Sequence, residues 1–136
     1  MEDKEILDFL RQRRVGFTAL CGLQYEAACV GKCRMSLCLE EQHLNPQGSA
    51  HGGLIATLMD VTAGSVGFFA HGRLRPVMTQ SCSIQYLRPV KGPRVYAAAE
   101  CLKAGRRSAV VRCDVWDEDR ERLCATGTFE LCYLDI

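Results

Sequence analysis

The sequence predicts an α+β domain in which an antiparallel sheet wraps one long central helix. Residues 54–70 are the longest helical candidate, since small and apolar residues predominate there and no proline interrupts them. Strand-like alternation of apolar and polar residues dominates the rest of the chain. Because a helix must bury its apolar stripe against a partner, the surrounding strands are expected to form a sheet over it. The predicted strands lie within 23–40 and at 77–87, 94–103, 108–117 and 122–133.

The remaining elements are assigned from local patterns. Apolar residues recur with helical spacing near the start of the chain, so residues 1–14 are predicted to form an amphipathic N-terminal helix. A break at Gly31 divides the segment 23–40 into two antiparallel strands joined by a tight turn. No repeat, low-complexity segment or linker interrupts the sequence, so we expect a single domain spanning residues 1–136.

Composition and charge limit the classes of partner. The chain is 48% hydrophobic and 24% charged, as in a protein that builds a hydrophobic core. Lysine and arginine total 17 against 16 aspartate and glutamate, so no basic field is available for nucleic acid or an anionic membrane. The start of the chain mixes positively and negatively charged residues, which argues against a signal peptide. No run of apolar residues approaches the length of a membrane span. We therefore expect a cytoplasmic protein without nucleic-acid or membrane partners.

Nine cysteines are many for a chain of this length. Their number is odd, none forms a C-x-x-C pair, and most lie inside apolar segments such as EAACV and FELCYL. A reduced thiol in such surroundings behaves as a small buried hydrophobe, and a zinc site would need a second cluster that the sequence lacks. We therefore expect packing roles, no metal, no cofactor and a reducing compartment.

The loop before the central helix carries the first candidate site. Gly52 and Gly53 begin the helix, where the first backbone N–H groups lack intrahelical partners and the helix dipole is positive. Such an end can bind an oxyanion, and glycine lets a substrate carbonyl approach the backbone. Asn45, followed by a turn at Pro46, offers an amide for the carbonyl or for a water. The alternative is an ordinary glycine-rich loop that leads into a helix.

Asp60 is the second candidate, because it interrupts the apolar sequence of the central helix. Aspartate is a poor helix former, and burial of its carboxylate without partners is costly. On a helical wheel Asp60 shares a stripe of small residues, which would let a ligand or a second backbone approach the carboxylate, while the larger side chains face the sheet. The alternative is that Asp60 caps a neighbouring turn or faces solvent. The small stripe also comprises Gly53, Thr57, Gly64 and Gly67.

The histidines are weaker candidates. His51 could act as a general base, as a hydrogen-bonding residue at the helix entry or as a packed ring, and we favour a structural role because one titrating base suffices for ester hydrolysis. His43 and His71 are predicted to lie in surface loops. The sequence has no G-x-S-x-G element and no cysteine beside a plausible His–Asp pair, so a nucleophilic triad is not supported.

Together, these segments resemble a known family, the hotdog-fold acyl-CoA thioesterases of the phenylacetate-degradation type. The motif NxxGxxHGGxxxTLxD covers residues 45–60. Downstream, SIQYLRPV at 83–90, KAGRR at 103–107 and ATGTF at 125–129 look like the family's strands and turns. The resemblance covers about residues 15–133 and implies the hotdog fold, in which the antiparallel sheet wraps the central helix.

The resemblance also implies roles for individual residues. The Gly52 N–H polarises the thioester carbonyl, Asn45 assists in positioning, and Asp60 acts as general base or nucleophile. Thr79 matches a hydroxyl residue that helps to place the attacking water in some members. The resemblance implies that Arg88 and Arg106 contact the coenzyme. Both could equally be solvated charged residues in turns, since only a guanidinium at a groove gives bidentate phosphate contacts. Contacts to acyl-CoA are expected at Gly53, Arg88, Gly105 and Arg106.

Helix geometry predicts that the site is shared between two chains. Gly52 and Asp60 are eight residues apart on one helix, so they stand roughly 12 Å apart and one carbonyl cannot contact both. Two antiparallel copies of the helix would set Gly52 of one chain against Asp60 of the other. The resemblance also implies such a dimer, and we expect a homodimer or a homotetramer. Aromatic, medium-chain and hydroxylated acyl groups are all compatible with a pocket lined by Met59, Phe68 or Met78, and no charged residue selects among them.

Two other functions compete with thioester hydrolysis. A hotdog hydratase or dehydratase would need a catalytic histidine paired with an acid, and His51 with Asp60 does not resemble that pattern. A non-catalytic acyl-CoA sensor normally carries a DNA-binding domain, for which the residues before the hotdog segment leave no space, although a sensor without that domain stays an open alternative. The predicted function is therefore hydrolysis of an aromatic or medium-chain acyl-CoA to free acid and CoA.

Overall fold

The helices and strands follow the predicted order. A computed structural model of the chain describes residues 1–118 and 121–135. It adds two short elements that were not predicted, a helix after the N-terminal helix and a 3₁₀ turn at Glu41–His43. The elements are α1 (Asp3–Gln12), α2 (Gly16–Leu20), β1 (Gln24–Cys29), β2 (Lys32–Cys38), α3 (Gly52–Phe69), β3 (Val77–Tyr86), β4 (Arg94–Ala104), β5 (Ser108–Trp116) and β6 (Leu123–Tyr133).

The six strands form one antiparallel sheet in the order β1-β2-β4-β5-β6-β3. The β1–β2 turn contains Gly31 at φ +86°, a left-handed conformation that glycine adopts without a steric penalty. Strand β3 pairs with β6 on one side and forms one edge of the sheet, while β1 forms the other. Predicted and observed bounds of α3 and of the four later strands agree within two residues, which confirms the α+β architecture.

Helix α3 packs its larger side chains against one face of the sheet, as predicted. Leu58, Met59 and Val66 are almost completely buried, as are the sheet residues Val111 and Leu131. Burial of each such side chain contributes roughly 1.5–3 kcal/mol. The contacts of α3 with β2, β4 and β5 therefore fix which face of the helix stays uncovered.

The apolarity of α3 has a structural explanation in this packing. With a mean hydropathy of 1.4 over 18 residues, the helix is long and apolar enough to cross a membrane by length and composition alone. The expectation that no run approaches the length of a membrane span is wrong in that respect. However, 56% of the segment is buried inside the fold, as in the core helix of many globular proteins.

His43 is buried, so its predicted position in a surface loop is wrong. Its Nδ1 atom accepts a hydrogen bond of 2.9 Å from the Glu40 backbone N–H. Its Nε2 atom lies 2.8 Å from the Cys21 carbonyl oxygen, to which it donates. Only 6% of the residue is exposed, and it ties the 3₁₀ turn to the end of α2. His71 is exposed, as expected.

The stripe of small residues on α3 is shorter than predicted. Gly67 is buried, and a β-carbon there would overlap the side chain of Leu131 on β6. Gly64, in contrast, has open space where a β-carbon would lie. Gly67 therefore serves the packing of α3 on the sheet, and the accessible part of the stripe ends near Gly64.

Candidate active site

Asp60 lies on the side of α3 that the sheet leaves uncovered. Its carboxylate atom Oδ1 accepts a hydrogen bond of 2.6 Å from the Thr79 hydroxyl on β3. The structure thus brings two predicted site residues together. Asp60 is exposed on the single chain, so the enclosure that its position in an apolar helix suggested is not provided by its own chain.

Asp60 and Thr79 line a pocket of about 280 Å³ between α1, α3 and the sheet. Phe9 and Phe68 form part of its apolar wall. The Arg13 guanidinium carbon lies 5.3 Å from the centre of the Phe9 ring and 5.1 Å from that of Phe68. A pocket with aromatic walls beside a carboxylate suits a substrate whose apolar group adjoins a polar reacting centre.

The predicted lining of the acyl pocket is only partly correct. Phe68 lines the pocket, but Met59 is fully buried in the core and Met78 on β3 is 61% exposed. Sequence reasoning also missed the residues that α1 supplies, Phe9 and Arg13 among them. The amphipathic pattern of α1 was the available signal, but it does not tell which surface the helix covers.

The first turn of α3 presents a free N–H group at Gly52. His51 is the N-cap residue, and its Nδ1 atom accepts a hydrogen bond of 2.9 Å from the Gly53 N–H. Among the described residues, no protein acceptor bonds the Gly52 N–H. His51 therefore fills the role of a hydrogen-bonding residue at the helix entry, and Gly53 contributes a capped N–H rather than a free one.

Asn45 holds its own loop in shape. Its Oδ1 atom accepts hydrogen bonds from the backbone N–H groups of Gln47 at 3.0 Å and Ser49 at 3.1 Å. Its Nδ2 atom donates to the Ser49 hydroxyl at 3.0 Å. These bonds form an Asx-type turn, so the Asn45 side chain stabilises the loop before α3, whereas the sequence suggested an amide free for the substrate.

A second pocket, of about 320 Å³, surrounds the start of α3. Gly52, Asn45, Tyr86 and Arg88 all border it. The Tyr86 hydroxyl donates a hydrogen bond of 3.1 Å to the Gly52 carbonyl, while Arg88 Nη1 donates to the Leu123 carbonyl at 2.7 Å. Sequence reasoning did not identify Tyr86, although an aromatic residue at the exposed end of a strand, within SIQYLRP, is a usable signal.

The two pockets do not merge within one chain. They share no lining residue, and Gly52 and Asp60 belong to different pockets at positions roughly 12 Å apart along α3. A single chain therefore presents a carboxylate in one pocket and a free helix-terminal N–H in the other.

Gly105 and Arg106 lie away from both pockets, in the turn between β4 and β5. The Gly105 N–H donates to the Ser108 carbonyl at 2.8 Å, and the Arg106 side chain is exposed. Residues near the end of α3 contact this turn, since His71 Nε2 lies 2.9 Å from the Gly105 carbonyl oxygen. The predicted site residues thus occupy three places on one chain.

The sequence profile of the thioesterase superfamily matches residues 47–124, which include Gly52, Asp60, Thr79 and the turn at Gly105. The chain belongs to the thioesterase superfamily. The sheet wrapped around α3 is the hotdog fold of its solved relatives, which confirms the predicted fold class.

Individual known proteins and solved structures also align with most of the chain. Human acyl-coenzyme A thioesterase 13 is 28% identical over 125 residues, which are 91% of this chain and 89% of the human protein. The Caenorhabditis elegans protein F42H10.6 is 35% identical over 98 residues, so the match spans 71% of this chain and 57% of the worm protein. The structure of the conserved protein PA5202 from Pseudomonas aeruginosa has a TM-score of 0.85 and 33% identity, covering 91% of this chain and 98% of that one.

The cysteines of this thioesterase-superfamily chain are poorly placed for chemistry at either pocket. Burial raises the pKa of the Cys33 thiol to about 12 and also raises the pKa of Cys113. Both thiols therefore stay protonated near neutral pH, where the thiolate would be the reactive form. Cys124 borders the Gly52 pocket but is 2% exposed. Within residues 1–118 and 121–135, no three His, Cys, Asp or Glu side chains are grouped to hold a metal.

We expect a small thiol reagent to leave most of the catalytic activity intact, because the thiols nearest the core are buried and protonated. The measurement is residual turnover after treatment at neutral pH, with the number of modified thiols counted by mass. A Cys38→Ser variant is the matched control, since Cys38 is exposed at the end of β2 and lines neither pocket. Rapid stoichiometric inactivation that substrate prevents would show that a cysteine belongs to the site.

Proposed function

We propose that this protein hydrolyses the thioester of acyl-CoA to a free acid and CoA. The observation that carries the proposal is the Asp60 carboxylate, held by a 2.6 Å hydrogen bond from Thr79 at an aromatic-walled pocket. The free Gly52 N–H on the same helix supplies the complementary group, a donor for a developing oxyanion. The name of the human relative, acyl-coenzyme A thioesterase 13, supports the same activity.

The chemistry divides between these two groups. The Gly52 N–H, at the positive end of the α3 dipole, would donate to the carbonyl oxygen as it acquires negative charge. Asp60 would either take a proton from a water that attacks the carbonyl carbon, or attack that carbon itself and form a mixed anhydride that water then hydrolyses. In both routes the C–S bond breaks and CoA leaves as a thiolate. Thr79 engages one carboxylate oxygen and so orients Asp60.

A homodimer would complete the site. Thr79 near the start of β3 contacts Asp60, and Tyr86 at its end contacts Gly52. If two β3 edges pair antiparallel about residues 82 and 83 of the strand, Thr79 of one chain lies opposite Tyr86 of the other. The carboxylate pocket of one chain then faces the free N–H of its partner.

The exposed edge strand supports this assembly. Met78 and Tyr86 on β3 are 61% and 55% exposed, and an uncovered strand edge with large apolar residues is ordinarily protected by pairing. A dimer is the smallest assembly that places both catalytic groups on one carbonyl. A homotetramer would be formed by two such dimers.

We propose an aromatic or medium-chain acyl group as the substrate. The pocket beside Asp60 has a volume of about 280 Å³ and aromatic walls from Phe9 and Phe68. Such a pocket encloses a ring or a medium alkyl chain better than an acetyl group, which would leave it unfilled, or a long chain, which would project from it.

The test is release of free thiol from acetyl-, octanoyl-, phenylacetyl- and palmitoyl-CoA. We expect the highest kcat/KM with octanoyl- or phenylacetyl-CoA. A maximum with acetyl- or palmitoyl-CoA would contradict the acyl assignment alone. Binding without thiol release would instead identify an acyl-CoA sensor, and hydration of an enoyl-CoA without hydrolysis would identify a hydratase.

A further inference from the structure

The turn between β4 and β5 is held by hydrogen bonds to three consecutive carbonyl groups. His71 Nε2, Arg75 Nη2 and the Tyr133 backbone N–H each lie 2.9 Å from a carbonyl oxygen of residues 105–107, in that order. A turn at a sheet end normally leaves such carbonyls to water. Here the end of α3, the segment after it and the last strand fix the orientation of the whole turn.

Arg75 is the centre of this arrangement. It is only 5% exposed, and its Nε and Nη2 atoms donate to the Asp135 carboxylate at 2.9 and 2.8 Å. Its guanidinium carbon lies 3.9 Å from the centre of the Tyr133 ring. The hydrogen bond from Arg75 also lowers the pKa of Asp135. A buried guanidinium is retained only when it is paired and hydrogen-bonded, so these contacts form one rigid unit.

The outer side of the turn carries unneutralised positive charge. The side chains of Arg106 and Arg107 are exposed, and in the described part of the chain neither arginine has a carboxylate within salt-bridge distance. Lys103, two residues before the turn, and Arg73, two residues before Arg75, are also exposed. Guanidinium groups bind phosphate through two parallel hydrogen bonds, but only when their backbone is held at a suitable angle.

The family resemblance implies that the turn at Gly105 and Arg106 contacts the phosphates of CoA. We propose that Arg75 is a positioning residue for that contact, because its bonds to the Arg106 carbonyl and to Asp135 hold the 105–107 turn in one orientation. The inference rests on the proposed function. Asp60 lies nine residues before Phe69 at the end of α3, about 14 Å along the helix axis. The extended pantetheine arm of CoA joins its thioester to its phosphates and can span such a distance.

The test compares octanoyl-CoA with octanoyl-pantetheine, which has the same thioester and arm but lacks the nucleotide and its phosphates. For Arg75→Met and for the milder Asp135→Asn, we expect KM for octanoyl-CoA to rise about tenfold, as for loss of one charged hydrogen bond. We expect kcat with octanoyl-CoA to be retained, and both constants for octanoyl-pantetheine to stay at wild-type values. Arg106→Ala should raise KM for octanoyl-CoA in the same way. Combining Arg75→Met with Arg106→Ala should raise this KM little further, because both changes remove the same contact.

Arg112→Met is the matched control, since Arg112 is an exposed arginine on β5 that pairs with Asp114. We expect it to change neither substrate's constants. An unchanged KM for octanoyl-CoA in the Arg75 and Asp135 variants would overturn the inference, and so would equal changes with both substrates, which indicate general loss of structure. A wild-type protein that hydrolyses neither thioester would refute the proposed function itself.

Discussion

Asp60→Asn is expected to lower kcat by ~10²–10⁴-fold, the usual effect of removing a positioned base. Asparagine has nearly the same shape and its side-chain oxygen can still accept the hydrogen bond from Thr79. Asp60 is exposed on the single chain, so its replacement leaves no buried charge or cavity. The measurement is steady-state thiol release with the best acyl-CoA substrate, together with thermal unfolding of both proteins.

Asp8→Asn provides the control for this experiment. Asp8 is also an exposed helical aspartate, but it lies on α1 and lines neither pocket. We expect wild-type turnover from Asp8→Asn and unchanged unfolding temperatures for both variants. An Asp60→Asn protein that keeps most of its turnover would exclude Asp60 as the catalytic group.

Mixed dimers of two inactive variants are expected to regain activity. One parent is Asp60→Asn. The other is Gly52→Pro, which removes the N–H proposed to bind the oxyanion, a loss worth ~10²–10³-fold in kcat. Gly52 is the first residue of α3, where proline is tolerated, and His51 has φ −60° and ψ 138°, an extended conformation that suits a residue before proline.

The expected gain follows from how the sites are composed. In a heterodimer, one site combines the intact Gly52 of the first chain with the intact Asp60 of the second, while the other site has neither. Isolated heterodimers should therefore show half the activity of the wild-type dimer. Heterodimers of Asp60→Asn with the wild-type chain are the matched control, because they also contain one complete site and should show half the wild-type activity. Verified heterodimers as inactive as both parents would show that the site lies within one chain.

The succession of elements could be predicted because its signals are local. Gly31 and the segment at 104–106 mark turns, and period-two alternation marks the strands between such breaks. The order of strands in the sheet could not be obtained in this way, because alternation tells that a strand has a buried face but not which neighbour it has. The helix α2 spans only Gly16–Leu20, too short for a periodic pattern.

The candidate site was predictable as a set of residues but not as an arrangement. Asp60, Thr79 and Gly52 were identified in advance, and the Asp60–Thr79 contact is present. The inward hydrogen bonds of Asn45 depend on the path of its loop, which the sequence does not specify. The role of Arg75 could not be predicted, because nothing in the sequence links this residue to Asp135, sixty residues later.

The capping of α3 by His51 has a consequence for the kind of ester the protein can cleave. The Gly53 N–H donates its hydrogen bond to His51 Nδ1. The Gly52 N–H is therefore the main-chain donor that remains at this helix end to stabilise an oxyanion. A thiolate leaves readily, so a thioester requires little further assistance. An alkoxide is a far more basic leaving group and would need a proton donor beside it. With one main-chain donor for the oxyanion, the site is matched to a thioester, which expels its leaving group with little assistance, better than to an oxygen ester.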